Sequence, residues 1–200
     1  MKNIFSRIRG QGYLSLDAGY PNRGRSRWRK GLSRYLAKMR GDMKCPPRPP
    51  FRNIAWSWMG GFLGIATTGY LSLIAHTPLL MAPFGATCVL AFGVSDSPLA
   101  QPRNVIGGHI LSTFIGLVCL QVFGHEWWAM ALAVATAIAG MQLTRTVHPP
   151  AGADPLVVML TGASWNFLLT PVLLGSVVLV ISAVLFNNLV AERTYPKYWL

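Results

Sequence analysis

Long apolar stretches separated by short breaks run along most of this chain. Ile54–Ala75 continues for 22 residues without a charge, and Val105–Phe123, Trp127–Leu143 and Leu168–Val190 are apolar in the same way. At 1.5 Å of rise per residue, about 20 such residues cross a hydrocarbon core about 30 Å thick. The pattern therefore predicts four long membrane helices. Two shorter apolar segments, Leu79–Val94 and Ala151–Gly162, lie between them, each rich in Pro and Gly at its start. The second covers only about 18 Å as a helix, less than a full crossing.

Composition agrees: 52% of the 200 residues are hydrophobic and 12% charged, whereas about a quarter are charged in an ordinary soluble domain. The net charge of +12 would by itself suggest a nucleic-acid binder. Its distribution excludes that, because residues 1–53 hold 14 of the 18 basic residues while residues 54–200 balance four basic against four acidic. The chain is a basic arm followed by a neutral apolar body. Counting all six apolar segments as crossings puts the arm, Arg103, Arg145, Arg193 and Lys197 on one side, and connections free of Lys and Arg on the other. By the positive-inside rule both termini are then cytoplasmic. Trp56, Trp58, Tyr195, Tyr198 and Trp199 fall at inner ends and Trp127, Trp128 and Trp165 at outer ends, as interfacial belts do. Residues 1–25 lack the apolar core of a signal peptide and contain little to build structure with. Cys45, Cys88 and Cys119 have neither metal nor disulfide spacing.

An internal repeat organises the body. Pro83-Phe84-Gly85-Ala86-Thr87 returns 67 residues later as Pro150-Ala151-Gly152-Ala153-Asp154, and Val105 and Gly108 align with Val172 and Gly175. A repeat of three crossings is odd in number, so its second copy enters from the opposite side. The predicted architecture is all-α: six helices in two inverted three-helix repeats, the second and fifth short. Short Pro/Gly-interrupted segments at matching positions mark the binding site in transporters built this way. Pro opens a helix without losing a bond, and Gly and Ala leave N–H groups uncovered at the positive end of the dipole. The expected substrate site is Pro83, Gly85, Ala86 and Thr87 with Pro150, Gly152, Ala153 and Asp154, two helix starts holding a small anion.

The run Thr146-Val147-His148-Pro149-Pro150-Ala151-Gly152-Ala153-Asp154-Pro155 resembles the signature of the HPP family of integral membrane proteins. Ser97-Pro98-Leu99-Ala100-Gln101-Pro102-Arg103-Asn104-Val105-Ile106-Gly107-Gly108-His109 is similar to a second stretch of that family. The resemblance covers residues 53–190 and not the arm. It implies a bacterial or organellar membrane protein and a small-anion permease, because chloroplast and cyanobacterial members are associated with nitrite. The expected location is a bacterial inner membrane.

Single residues refine the expectation. His148, before two prolines, cannot be mid-helix; it is a candidate for coupling anion passage to a proton, or a cap. His109 is an ionisable group inside a span, which points to function. Arg103 and Asn104 are placed on the path, Arg103 also suiting a membrane anchor. Asp154 matches Thr87 in the repeat and would repel an anion unless protonated or paired, with Arg103 or Arg145 as candidate partners. Asp96 and Arg145 suit loop anchors, and His76, His125 and Glu126 a solvated outer surface. Gly60, Gly64, Thr68 and Ser72, and likewise Ala131, Ala135 and Ala139, recur every four residues and suit close helix packing, within the chain or in a homodimer.

In the arm, Trp28, Leu32, Tyr35, Leu36 and Met39 follow helical spacing among Arg27, Arg29, Lys30, Arg34, Lys38 and Arg40. This predicts a basic amphipathic helix on an anionic leaflet, with Ser26 as its cap. Cys45–Pro50 reads as a stiff linker. The domains are thus a basic arm over 1–53, a transmembrane domain over 54–193 and a short cytoplasmic tail over 194–200. No nucleophile–base pair or metal cluster is evident, so neither an enzyme nor a cofactor is expected. The alternative function is a non-transporting sensor or assembly subunit whose arm binds a partner or lipid.

Overall fold

The computed structural model describes residues 23–41 and 43–199. The expectation of little structure over residues 1–25 falls mostly outside them. The described residues are helical, with no strand among them. The chain forms two units, Met1–Pro47 and Arg48–Leu200.

The first unit contains helix α1, Arg23–Met39. Leu32, Tyr35, Leu36 and Met39 are all more than half exposed. They recur at the spacing of one helical face. Ser26 lies inside this helix rather than at its cap, a correction to the sequence expectation.

The second unit holds α2 (Phe51–Ile74), α3 (Pro83–Cys88, continued by a wide turn to Gly93), α4 (Pro102–Phe123), α5 (Trp127–Thr144), α6 (Asp154–Thr161) and α7 (Leu174–Leu189). A 3₁₀ turn, Pro149–Ala153, leads into α6, and a wide turn, Leu168–Leu173, leads into α7. Pro102–Phe123, Trp127–Thr144 and Leu168–Leu189 are long and apolar enough to cross a membrane. Helix α2 has 24 residues, but Gly, Ser, Thr and Trp dilute its hydropathy. The second and fifth apolar segments form short helices, as their Pro- and Gly-rich starts predict. From Pro83 to Gly93 and from Asp154 to Thr161 the chain rises only about 16 and 12 Å. Non-helical chain leads to the proline that opens each segment, Pro83 in the first and Pro149 in the second.

Two ends of the body are defined by hydrogen bonds. At one end Arg193 donates to the carbonyls of Phe92 and Asn53 and to the side chains of Asn187 and Ser57. Arg103 donates to the Thr144 carbonyl there, and Lys197 pairs with Asp96. The start of α2, the end of the α3 segment, the start of α4, the end of α5 and the C-terminal tail thus meet. Residues 194–199 are not a loose tail. Tyr195 is 2% exposed and its hydroxyl donates to the Ala100 carbonyl at 2.7 Å. Burial pushes that phenol well above its usual range, so it stays a donor. Tyr195 is therefore a core residue, not a member of an interfacial belt. At the other end His125 bonds the Met159 carbonyl rather than only solvent.

Close packing explains the glycines. A Cβ at Gly60 would sit 2.5 Å from the Phe92 ring and one at Gly64 2.7 Å from it, so α2 lies flush on that ring. A Cβ at Gly175 would sit 2.2 Å from the Leu79 carbonyl oxygen, and one at Gly108 2.9 Å from that of Thr146. On α5 the buried small face is Ala129, Ala133 and Ala137. The expected face, Ala131, Ala135 and Ala139, is exposed. Both alanine series share a period of four, and the neighbouring helices select between them.

Candidate functional site

The two broken segments meet where α4 passes them. His148 precedes Pro149, which excludes a helical conformation, and its backbone is extended (φ −135°, ψ 102°). This places its ring between the Leu99 carbonyl and α3. Asp154 opens α6 facing α4, where His109 and Thr113 are stacked at i and i+4. Thr87 projects from α3 between the two imidazoles.

A continuous buried chain results. His148 Nδ1 lies 2.8 Å from the Leu99 carbonyl oxygen, and His148 Nε2 lies 3.0 Å from Thr87 Oγ1. Thr87 Oγ1 lies 2.9 Å from His109 Nε2, and His109 Nδ1 lies 2.8 Å from Asp154 Oδ2. Thr113 donates to Asp154 Oδ2 at 3.3 Å, and Asp154 Oδ1 has no partner. His109, His148 and Asp154 are 0% exposed and Thr87 is 1%. The Phe84 ring stands edge-on to His109 with centroids 5.2 Å apart.

The chemistry fixes the protons. A carbonyl only accepts, so His148 carries a hydrogen on Nδ1, and in the neutral ring Nε2 is then an acceptor. Thr87 then donates to His148 and accepts from His109 Nε2–H. His109 Nδ1 and Asp154 Oδ2 share the remaining proton, as acid and imidazole or as an ion pair. Either form leaves the pair neutral overall, which limits the large cost of an isolated buried charge.

The sequence-derived residues divide between this chain and other roles. Thr87, His109, His148 and Asp154 are brought together. Pro83, Ala86, Pro150 and Ala153 line an apolar groove of about 600 Å³ beside them, with Val89 and Val157 among its other walls. Gly85 and Gly152 have no atom near a notional Cβ and leave the backbone open there. Arg103 is a surface staple, and Asn104 donates to the Val147 carbonyl at 2.9 Å. The expected pairing of Asp154 with Arg103 or Arg145 is corrected. Its partner is His109, about two turns deeper in α4 than Arg103. The uncovered N–H donors are corrected as well: those of Phe84, Gly85 and Ala151 already bond the carbonyls of Met81, Ala82 and His148. Proline starts fold into tight turns that use these donors. Sequence reasoning missed Thr113, whose signal was its place four residues after His109. It also missed the Leu99 carbonyl, which had none. No group of three metal-ligating side chains occurs among the described residues.

Comparison with known proteins follows the same boundaries. The HPP transmembrane region matches residues 46–196. Two curated transmembrane proteins of Dictyostelium discoideum are similar to the chain. One is 37% identical, covering 82% of this chain and 57% of its own length. The other is 38% identical, covering 80% and 60%. The chain thus spans less than two thirds of these relatives. No solved structure matches it.

Proposed function

The chain belongs to the HPP transmembrane family, and from that premise we propose that it moves a small monovalent anion across a membrane, nitrite being the first substrate to test. The observation that carries this reading is the buried His148–Thr87–His109–Asp154 chain between two broken segments. Ionisable groups at membrane depth are costly and mark transport paths. Broken helices beside a site are the architecture of many secondary transporters.

The inverted repeat supports the same reading. Gly108 and Gly175 are 67 residues apart, and so are the carbonyls they approach, Leu79 and Thr146. Each glycine belongs to one half and meets the non-helical leg of the other. Such reciprocity is what a two-fold axis in the membrane plane produces. No lysine or arginine lines the groove, so anion affinity there would depend on the charge state of the buried imidazoles behind its walls. The side chosen for both termini rests on the positive-inside rule.

Reconstituted proteoliposomes should take up nitrite above the level of empty vesicles, and a chain lacking residues 1–47 should retain that uptake. Inert vesicles, with other small anions also excluded, would sink transport. The exposed apolar stripe of α1 favours a second reading, in which the arm binds lipid or a partner. Loss of a partner on truncation, without any flux, would support it.

A further inference from the structure

We propose that the site takes up one extra proton on His148 and that the Thr87 hydroxyl is the switch that makes room for it. Its consequence for flux rests on the transport reading above; the proton chemistry stands on the hydrogen-bond geometry alone. Four contacts link five groups: Leu99 carbonyl to His148, His148 to Thr87, Thr87 to His109, and His109 to Asp154. A neutral set supplies four hydrogens, one each from His148, Thr87, His109 and the Asp154 carboxyl. Each contact therefore holds one hydrogen, and the order is fixed from the carbonyl inward.

An added proton can enter at His148 Nε2, the ring nitrogen that carries none. The Thr87 hydrogen must then leave that contact, and the structure supplies another acceptor. The Pro83 carbonyl oxygen lies 3.3 Å from Thr87 Oγ1. After the hydroxyl turns, Thr87 Oγ1 accepts from both His148 and His109 and donates to Pro83. No donor is stranded, and the site has gained one proton and one positive charge.

The surroundings determine how that charge is balanced. From α3 the chain meets Thr87 and the Phe84 ring, and from α4 it meets His109 and Thr113. Asp154 comes from α6, and the Leu99 carbonyl precedes α4. Among the described residues the ion pairs are Arg52–Glu192, Lys197–Asp96 and His109–Asp154, so a loaded His148 has no carboxylate of its own. Pro149 and Pro150, next along the chain, line the groove. A monovalent anion in that groove would compensate the charge. By linkage the proton and the anion raise each other's affinity by the same factor.

The test uses the full chain in lipid nanodiscs, with histidine ring nitrogens labelled and followed by NMR. His148 Nε2 should gain a proton on acidification while the His109–Asp154 contact persists. Thr87→Val keeps the shape but removes the acceptor of a charge-assisted bond. Its ratio of loaded to unloaded His148 should fall at least tenfold at a given pH, and Thr87→Ser should restore it. Identical titrations in wild type and Thr87→Val would overturn the switch. A second arm imposes a nitrite gradient on dye-loaded proteoliposomes, with empty vesicles setting the nitrous acid background. Internal pH should move with nitrite in wild type and at least tenfold less in Thr87→Val. Nitrite uptake without a pH change would overturn the coupling. Inert vesicles whose His148 still loads through Thr87 would overturn transport and leave the switch standing.

Discussion

His109 touches both Pro-x-Gly-Ala segments, Thr87 on one ring nitrogen and Asp154 on the other. Replacing it by Leu would leave the Asp154 carboxyl with Thr113 alone. A buried charge stripped of its partner costs about 3–5 kcal/mol. A protonated carboxyl would cost less, about 1–3 kcal/mol for an unmade hydrogen bond. His109→Leu should therefore destabilise the body by about 2–4 kcal/mol in reversible unfolding. The double change His109→Leu with Asp154→Leu should cost less than the sum of the single changes, because the two residues are coupled. Additive costs would mean that the contact contributes nothing. At this scale the sequence marked His109, His148 and Asp154 as unusual, because charges are rare in apolar segments. Sequence reasoning offered Arg103 or Arg145 as partners for Asp154, because it looked for a permanent positive charge, whereas packing places the neutralising group, His109, on the facing turn of α4.

Element by element, periodicity located the long helices but not every buried face. Helix α5 carries two alanine series of equal period. Only its packing against α4 and α6 buries Ala129, Ala133 and Ala137. Ala133→Leu should therefore cost about 1–3 kcal/mol through overpacking, whereas Ala135→Leu on the exposed face should be close to neutral. Comparable melting temperatures for the two variants would contradict this packing. The short segments follow the same logic. Pro and Gly announced their breaks, yet nothing local revealed that their N–H groups would close into turns. Those bonds depend on chain conformation around Met81, Ala82 and His148, and side-chain pattern does not report it.

At the scale of the molecule, charge separates arm from body, and the cytoplasmic side proposed for the arm follows from the positive-inside rule. Cys45 is the exposed cysteine, while Cys88 and Cys119 are buried. An impermeant thiol reagent should leave intact cells unlabelled at Cys45 and label inverted membrane vesicles. The opposite pattern would reverse the orientation drawn from the basic arm. Arg193 and the tail fasten one end of the body to three other segments. This explains why residues 194–199 are ordered parts of it.

Composition, apolar run lengths and the 67-residue repeat determined an all-helical membrane body, a basic arm and the two segments where a site would form. These properties are one-dimensional: hydropathy, charge and helix-breaking residues act where they stand in the chain. The contents of the site were decided only by tertiary structure. Packing on α4 brought Thr87, His148 and Asp154 from separate segments onto His109, and used the backbone donors in turns. A hydrogen bond depends on positions to within a fraction of an ångström, and those positions follow from how the helices pack.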